Sequence, residues 1–158
     1  MLEACRRLGV DADAVMARAG IARAEIDDPD ARLSGVQADA VWREAFAVAG
    51  DPQLALHAAE ALQFGAYRVL DYLGTTGPTL GEGLRRVAEY FPLVDPRGVL
   101  RVQERAEGSA LVFATRAGTP LPRPAQEYTL TVLFLRARHA SEAAWHPATV
   151  EFAFPRPP

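Results

Sequence analysis

Apolar residues recur at helical spacing from the N-terminus to about Phe91, and beyond Pro96 they switch to alternation. Leu2 to Leu8 predicts a short helix. Asp11 is placed to cap a second helix through Ala19, and Gly20 supplies a left-handed stop. Ser34 and Gln37 have the spacing of a capping box. It opens a helix carrying Val41, Trp42, Ala45, Phe46 and Val48, which Gly50 ends. Asp51-Pro52 reads as a cap and first helical residue, with the next helix running through His57 to about Leu62. From Tyr67 to Val94 two amphipathic helices and their joint are written out. In the second, Leu80, Leu84, Val87, Ala88 and Phe91 form an apolar stripe opposite Glu82, Arg85, Arg86 and Glu89. Gly77-Pro78 turns the chain, and Thr79 with Glu82 has the T-x-x-E form of a capping box.

After Pro96, Leu100 and Val102 alternate with Arg101 and Gln103, and a second run from Ala110 to Thr115 follows Glu107-Gly108. The pattern predicts a β-hairpin. Tyr128 to Leu135 is apolar nearly all round, between Pro124 and the pair Arg136 and Arg138, and reads as a mostly buried helix. Val150, Phe152 and Phe154 alternate with Thr149, Glu151 and Ala153 as a last strand, stopped by the proline-rich end from Pro155 to Pro158. The expected fold is therefore α+β. An N-terminal layer of five to six helices precedes a small, mainly antiparallel sheet made of a hairpin, a crossing helix and a further strand, with helices covering one face.

At 158 residues the chain fits one domain, able to bury about two thirds of the surface its unfolded form exposes. The single Cys5 excludes an internal disulfide. No signal peptide and no apolar run of membrane-spanning length is present, so a cytoplasmic protein without a membrane partner is expected. A net charge of −3 argues against a surface that grips nucleic acid by itself. The two short helices between Leu2 and Ile26 look like a helix-turn-helix, but the second would offer only Arg18 against Asp11 and Asp13. They read as a structural pair.

Chemistry-bearing groups are scattered. His57, His139 and His146 lack zinc-type spacing and clustered partners, so no metal is expected. Cys5, Ser34, Ser109 and Ser141 sit in no nucleophile motif, and the acidic run Asp27, Asp28 and Asp30 beside Pro29 reads as a solvated loop. Neither catalytic residues nor a cofactor are expected. The positive candidate is a small-molecule pocket between the helical layer and the sheet. Trp42, Phe46, Tyr67, Tyr72, Tyr90, Tyr128 and Phe134 are available as walls, and Arg68 or Glu127 could orient a charged ligand. The plainer reading is that these aromatics are core, and that Arg68 pairs with Asp71 at the surface.

Several segments together resemble the N-terminal sensory, arabinose-binding-type domain of AraC-type bacterial transcription regulators. They are LEACRRLGVDADAVMARAGI, DPDARLSG, GDPQLALHAAEAL, LDYLGTTGPTLGEGLRRVAEYF and WHPATVEFAFPRPP, in that order. Two positions depart: Gly83 stands where the family tends to have alanine, and Phe154 where a histidine often precedes the proline. Neither is expected to touch the core pattern. The resemblance implies that residues 1–158 are one non-enzymatic effector-sensing domain with an unknown small-molecule effector. It also implies a further strand or so beyond Pro158, and DNA contact only through a C-terminal helix-turn-helix module that this sequence does not include. A homodimer is a further expectation, from the apolar faces of the Leu2 to Ala19 hairpin. The alternatives are a stand-alone small-molecule or haem sensor, although the Y-x-S-x-R haem signature is absent, and an enzyme of unknown chemistry.

Overall fold

The computed structural model describes residues 1–27, 32–116, 118, 120–142 and 144–155. Asp28, Pro29 and Asp30 of the acidic run, and Arg156, Pro157 and Pro158 of the proline-rich end, lie outside the described residues. The chain forms two compact units. The first comprises 1–63 and 124–132, the second 64–123 and 133–158.

In the first unit the helix ends follow from local chemistry. Helix α1 spans Leu2–Arg7 and α2 Ala12–Ala19. The Asp11 carboxylate accepts the N–H groups of Asp13 and Ala14, which the first turn would otherwise leave unpaired. Helix α3, Arg23–Asp27, has no counterpart in the expected order; the Glu25 carboxylate holds its start by accepting the Ala22 N–H. Helix α4, Gly35–Ala49, opens on the expected capping box, with Ser34 and Gln37 bonding each other's backbone. Gly20 and Gly50 end α2 and α4 at φ 70° and 62°, a conformation glycine takes without a Cβ penalty. Helix α5, Leu54–Glu60, starts two residues after the expected Pro52. Asp51 does not cap a helix there. Its Oδ1 accepts the Gln53 N–H at 2.8 Å, closing a tight turn, and its Oδ2 lies 2.6 Å from Nδ1 of His57. The core of this unit gathers Cys5, Ala12, Val15, Ile21, Val41, Ala45 and Leu54, and small side chains such as Ala12 and Ala45 leave room for close packing.

In the second unit, α6 spans Val69–Thr75 and α7 Leu80–Tyr90, followed by a 3-10 turn at Phe91–Leu93. Thr79 accepts the Glu82 N–H, but the return bond of the expected capping box is not found among the described residues. Strands β1, Gly98–Arg105, and β2, Gly108–Thr115, form the predicted hairpin, with Leu100 opposite Phe113 and Val102 opposite Leu111. Leu100 turns inward onto Leu70, Val87, Phe91 and Leu133, and the rings of Phe91 and Phe113 meet edge to face at 5.6 Å. Arg85 of α7 also bonds Glu104 of β1, so one helix covers this face through both apolar and charged contacts.

The α+β class holds, with three changes to the expected order. Seven helices, not five to six, precede the hairpin among the described residues. The crossing helix α8 runs over Arg123–Ala140, well beyond Tyr128 to Leu135, because Pro124 suits a first helical turn and Arg136 and Arg138 continue it. Finally, the expected strand over 149–154 pairs with nothing among the described residues, and the sheet there is two-stranded. Alternation made Val150, Phe152 and Phe154 look like a strand. Phe152 and Phe154 instead stack on each other at 5.0 Å, and the Arg123 guanidinium lies 4.6 Å from the Phe154 ring.

Gly83 also departs from expectation. It is buried, and a Cβ built there would stand 2.2 Å from the carbonyl oxygen of Gly74. The absent side chain is therefore what lets α6 and α7 touch backbone to backbone. This position does reach the core.

Candidate functional site

A cluster of polar and aromatic groups in the second unit is built on the entry to α6. Asp71 is its centre. At 5% exposure it is the buried charged residue among the described residues. Its Oδ2 accepts the backbone N–H groups of Gly65 at 2.7 Å and Tyr67 at 3.1 Å, and its Oδ1 accepts from Nε of Arg136 in α8 at 2.8 Å. A buried carboxylate needs such partners to offset lost hydration, and here they also pin the loop that carries them. The expected surface pair between Arg68 and Asp71 does not form. Asp71 points inward to a partner 65 positions away.

The pinned loop holds Arg68 in an unusual state. The Leu70 N–H donates to the Tyr67 carbonyl at 3.1 Å, and Arg68, at φ 50° and ψ −124°, takes the first central position of that turn. This is the type II′ geometry in which glycine is the usual residue, so an arginine there costs about 1–3 kcal/mol. Around the loop, Phe64 is half-buried. The ring of Tyr72 meets it edge-on at 5.4 Å, His139 stacks on it at 4.3 Å and 27°, and the Arg136 guanidinium sits 5.6 Å from its centroid.

Residues 9–158 match the family model described as the arabinose-binding domain of AraC transcription regulators, N-terminal. The chain belongs to that family. A search of curated proteins found no significant match. The AraC-type domain is a ligand-binding regulatory module, so the useful questions are which groups face a ligand and which merely pack.

The sequence-predicted residues divide between the two units. In the first, Trp42 and Tyr128 are buried with ring centroids 5.3 Å apart, and half-buried Phe46 lies 6.4 Å from Trp42. In the second, Tyr67 packs partly against the Leu70, Val87 and Phe91 cluster, Arg68 is exposed, and Tyr72 is 56% exposed. Tyr90, at the end of α7, is exposed, and half-buried Phe134 lies 6.3 Å from Trp145 with the Arg138 guanidinium 5.8 Å from its ring. The structure thus brings Tyr67, Arg68 and Tyr72 to one loop and helix. Sequence reasoning missed Phe64, Asp71, Arg136 and His139 as members of the same cluster. Asp71 between Leu70 and Tyr72, and Arg136 directly after an apolar run, carried the available signal: charges on faces that otherwise read as buried.

Elsewhere the AraC-type domain offers little reactive chemistry. Among the described residues no group of three or more His, Cys, Asp or Glu side chains gathers to hold a metal. Burial pushes the Cys5 thiol above its ordinary value, which disfavours the thiolate. No helix of the described residues is long and apolar enough to cross a membrane. Three carboxylates sit below their ordinary values for local reasons: Glu44 through Arg18 and Arg43, Asp51 through His57 and the Gln53 N–H, and Glu104 through Ser109 and Arg85.

Proposed function

We propose that residues 1–158 act as one effector-sensing domain, which binds a small organic molecule in the cytoplasm and thereby biases an attached helix-turn-helix module on DNA. The family match over 9–158 carries this reading. Supporting it is the division of the molecule into a first unit of packed helices and a second that leaves Arg68, Tyr72 and Tyr90 exposed to solvent. A ligand shifts such an equilibrium only through differential affinity for its two states, so effector contacts must change between them.

The effector-contacting residues proposed are Tyr67, Arg68, Tyr72, Tyr90 and Phe134 in the second unit, with Trp42, Phe46 and Tyr128 as a separate aromatic wall in the first. A homodimer of the regulator belongs to the same proposal. Thermal-shift screening of a panel of organic acids, amino acids and sugars against residues 1–158 is the first test. A ligand at 100 times its dissociation constant adds about 2.7 kcal/mol, an easily read rise in Tm. The second test uses the complete gene product and its upstream DNA. A hit must change operator affinity, and reciprocally the operator must change affinity for the hit. A gene product that lacks a helix-turn-helix, or hits that leave DNA binding untouched, would end the regulator reading.

A further inference from the structure

We infer that the outer edge of β2 docks a second copy of this chain, the two β2 strands pairing antiparallel about a twofold axis at Val112; this rests on the homodimer proposed above and gives it a surface. The ladder decides which backbone groups are free. Arg116 donates its N–H to the Arg97 carbonyl at 2.9 Å, and the unbroken register from Gly98 with Thr115 to Arg105 with Gly108 carries the alternation along the strand. Ala110, Val112 and Ala114 therefore bond inward to β1. Ser109, Leu111, Phe113 and Thr115 turn their N–H and C=O groups outward, and among the described residues no backbone bond reaches them from outside the hairpin.

An unpaired edge of this length is a template for another strand, and proteins ordinarily blunt such edges with charge, proline or a bulge. Strand β2 has none of the three, whereas β1 carries Arg101, Glu104 and Arg105. What the edge accepts follows from its own side chains. About an axis at Val112, Leu111 lies opposite Phe113 of the second copy, Ala110 opposite its Ala114, Ser109 opposite its Thr115, and Val112 opposite its own counterpart. Every one of these cross-strand pairs is uncharged, so no like charges meet, and aliphatic faces aromatic at the centre. Among twofold registers this one alone engages all four outward residues. A charged strand would find no counter-charge on β2. The hairpin is a two-stranded sheet by itself among the described residues, and the pairing extends it to four strands through one isologous interface.

The experiment follows the whole 1–158 chain by sedimentation from about 1 µM to about 1 mM, with backbone amide exchange read by NMR towards both ends of that range. A reversible dimer is expected. The amides of Ser109, Leu111, Phe113 and Thr115 should become protected as concentration rises, while those of Ala110, Val112 and Ala114 are protected by β1 throughout. Val112→Lys sets like charges at the axis and should weaken the dimer about tenfold or more, as should Val112→Glu. An equal mixture of the two variants should restore it, because each charge then faces its opposite, and restoration shows that both variants fold. The inference is overturned if the chain stays monomeric across the range, if a dimer forms whose outward β2 amides exchange alike at both concentrations, or if the mixture associates no more tightly than either variant alone. A dimer with unprotected β2 amides overturns this edge and leaves the homodimer standing on another surface, such as the Leu2 to Ala19 hairpin. A monomer at every concentration overturns the edge and the homodimer together, while the effector-sensing reading keeps its own test in the ligand screen.

Discussion

Helices α2 and α4 of the first unit are started and stopped by residues next to them: Asp11 and Ser34 at their heads, Gly20 and Gly50 at their tails. The entry to α6 in the second unit is fixed by contrast from a distance, through Asp71 and an arginine 65 positions away. The two units also differ in what they leave to solvent. Leu8 and Val36 are the first unit's exposed large apolar side chains, against Val69, Tyr72, Tyr90, Leu93, Val94, Val150 and Phe152 in the second. Local caps and a core of small residues make a unit that satisfies itself. A buried ion pair, a strained arginine and exposed rings make one that has spent stability on something other than packing, which is where binding sites tend to reside.

The sharpest way to break this comparison is Asp71→Ala. The substitution removes the buried carboxylate that pairs with Arg136 and deletes the acceptor of the Gly65 and Tyr67 N–H groups, so a loss of about 3–5 kcal/mol is expected. Urea unfolding of the variant measures it. A loss comparable to that of an exposed ion pair such as Arg23 with Asp13, under about 1 kcal/mol, would mean that Asp71 is not the pin described above.

Next in size is Gly83→Ala. In an exposed helix this change would stabilise by roughly 1 kcal/mol through propensity alone. Here the new Cβ would meet the Gly74 carbonyl oxygen at 2.2 Å, and backbone cannot swing aside as a flexible side chain can. Overpacking of this kind costs about 1–3 kcal/mol, and the net sign should be destabilising. A variant that melts higher than the parent would show that α6 and α7 separate at little cost.

These two sites also mark the limit of what the sequence discloses. Caps and periodicity are short-range signals, so α1, α2, α4, α7 and the hairpin can be read from neighbouring residues. The ion pair between Asp71 and Arg136 cannot, since nothing near either residue names its partner and the closer Arg68 is the natural choice. Nor can the contact between Gly74 and Gly83, because a missing side chain advertises no partner. The 149–154 segment shows the opposite failure. Its alternation is as clean as that of β1, but a strand is defined by pairing, and pairing is a property of the fold rather than of the segment. Of the candidate site, the aromatics are legible as a set of large side chains. Their division between units, and the convergence of Phe64, Tyr72 and His139, require the three-dimensional arrangement.

Ser34→Ala sharpens the comparison from the other side. It deletes one half of the reciprocal cap on α4, where the Ser34 hydroxyl accepts the Gln37 N–H at 3.3 Å. Caps of this kind are worth about 1 kcal/mol. The effect should be smaller than that of Asp71→Ala, and restored by Ser34→Asp, which supplies an acceptor of similar reach. If Ser34→Ala cost as much as Asp71→Ala, the contrast between local and distant control would collapse.

The smallest effect concerns acid. Asp51 is held below its ordinary value first by His57 and then by the Gln53 N–H. A carboxylate whose folded value is depressed stabilises the fold at every pH above its unfolded value, near 3.9, and that contribution disappears as pH falls through the lower folded value. The parent chain and Asp51→Asn should therefore differ in Tm above roughly pH 5, with the gap closing below about pH 4 as the parent's carboxyl protonates. The pair is only half-buried, so salt screens it in part and the gap should also narrow at high ionic strength. A gap that stays constant from neutral pH to about pH 3 would mean that the contact between Asp51 and His57 adds nothing to the joint of α4 and α5. The joint would then be held by the Gly50 stop and the burial of Leu54, without help from its charges.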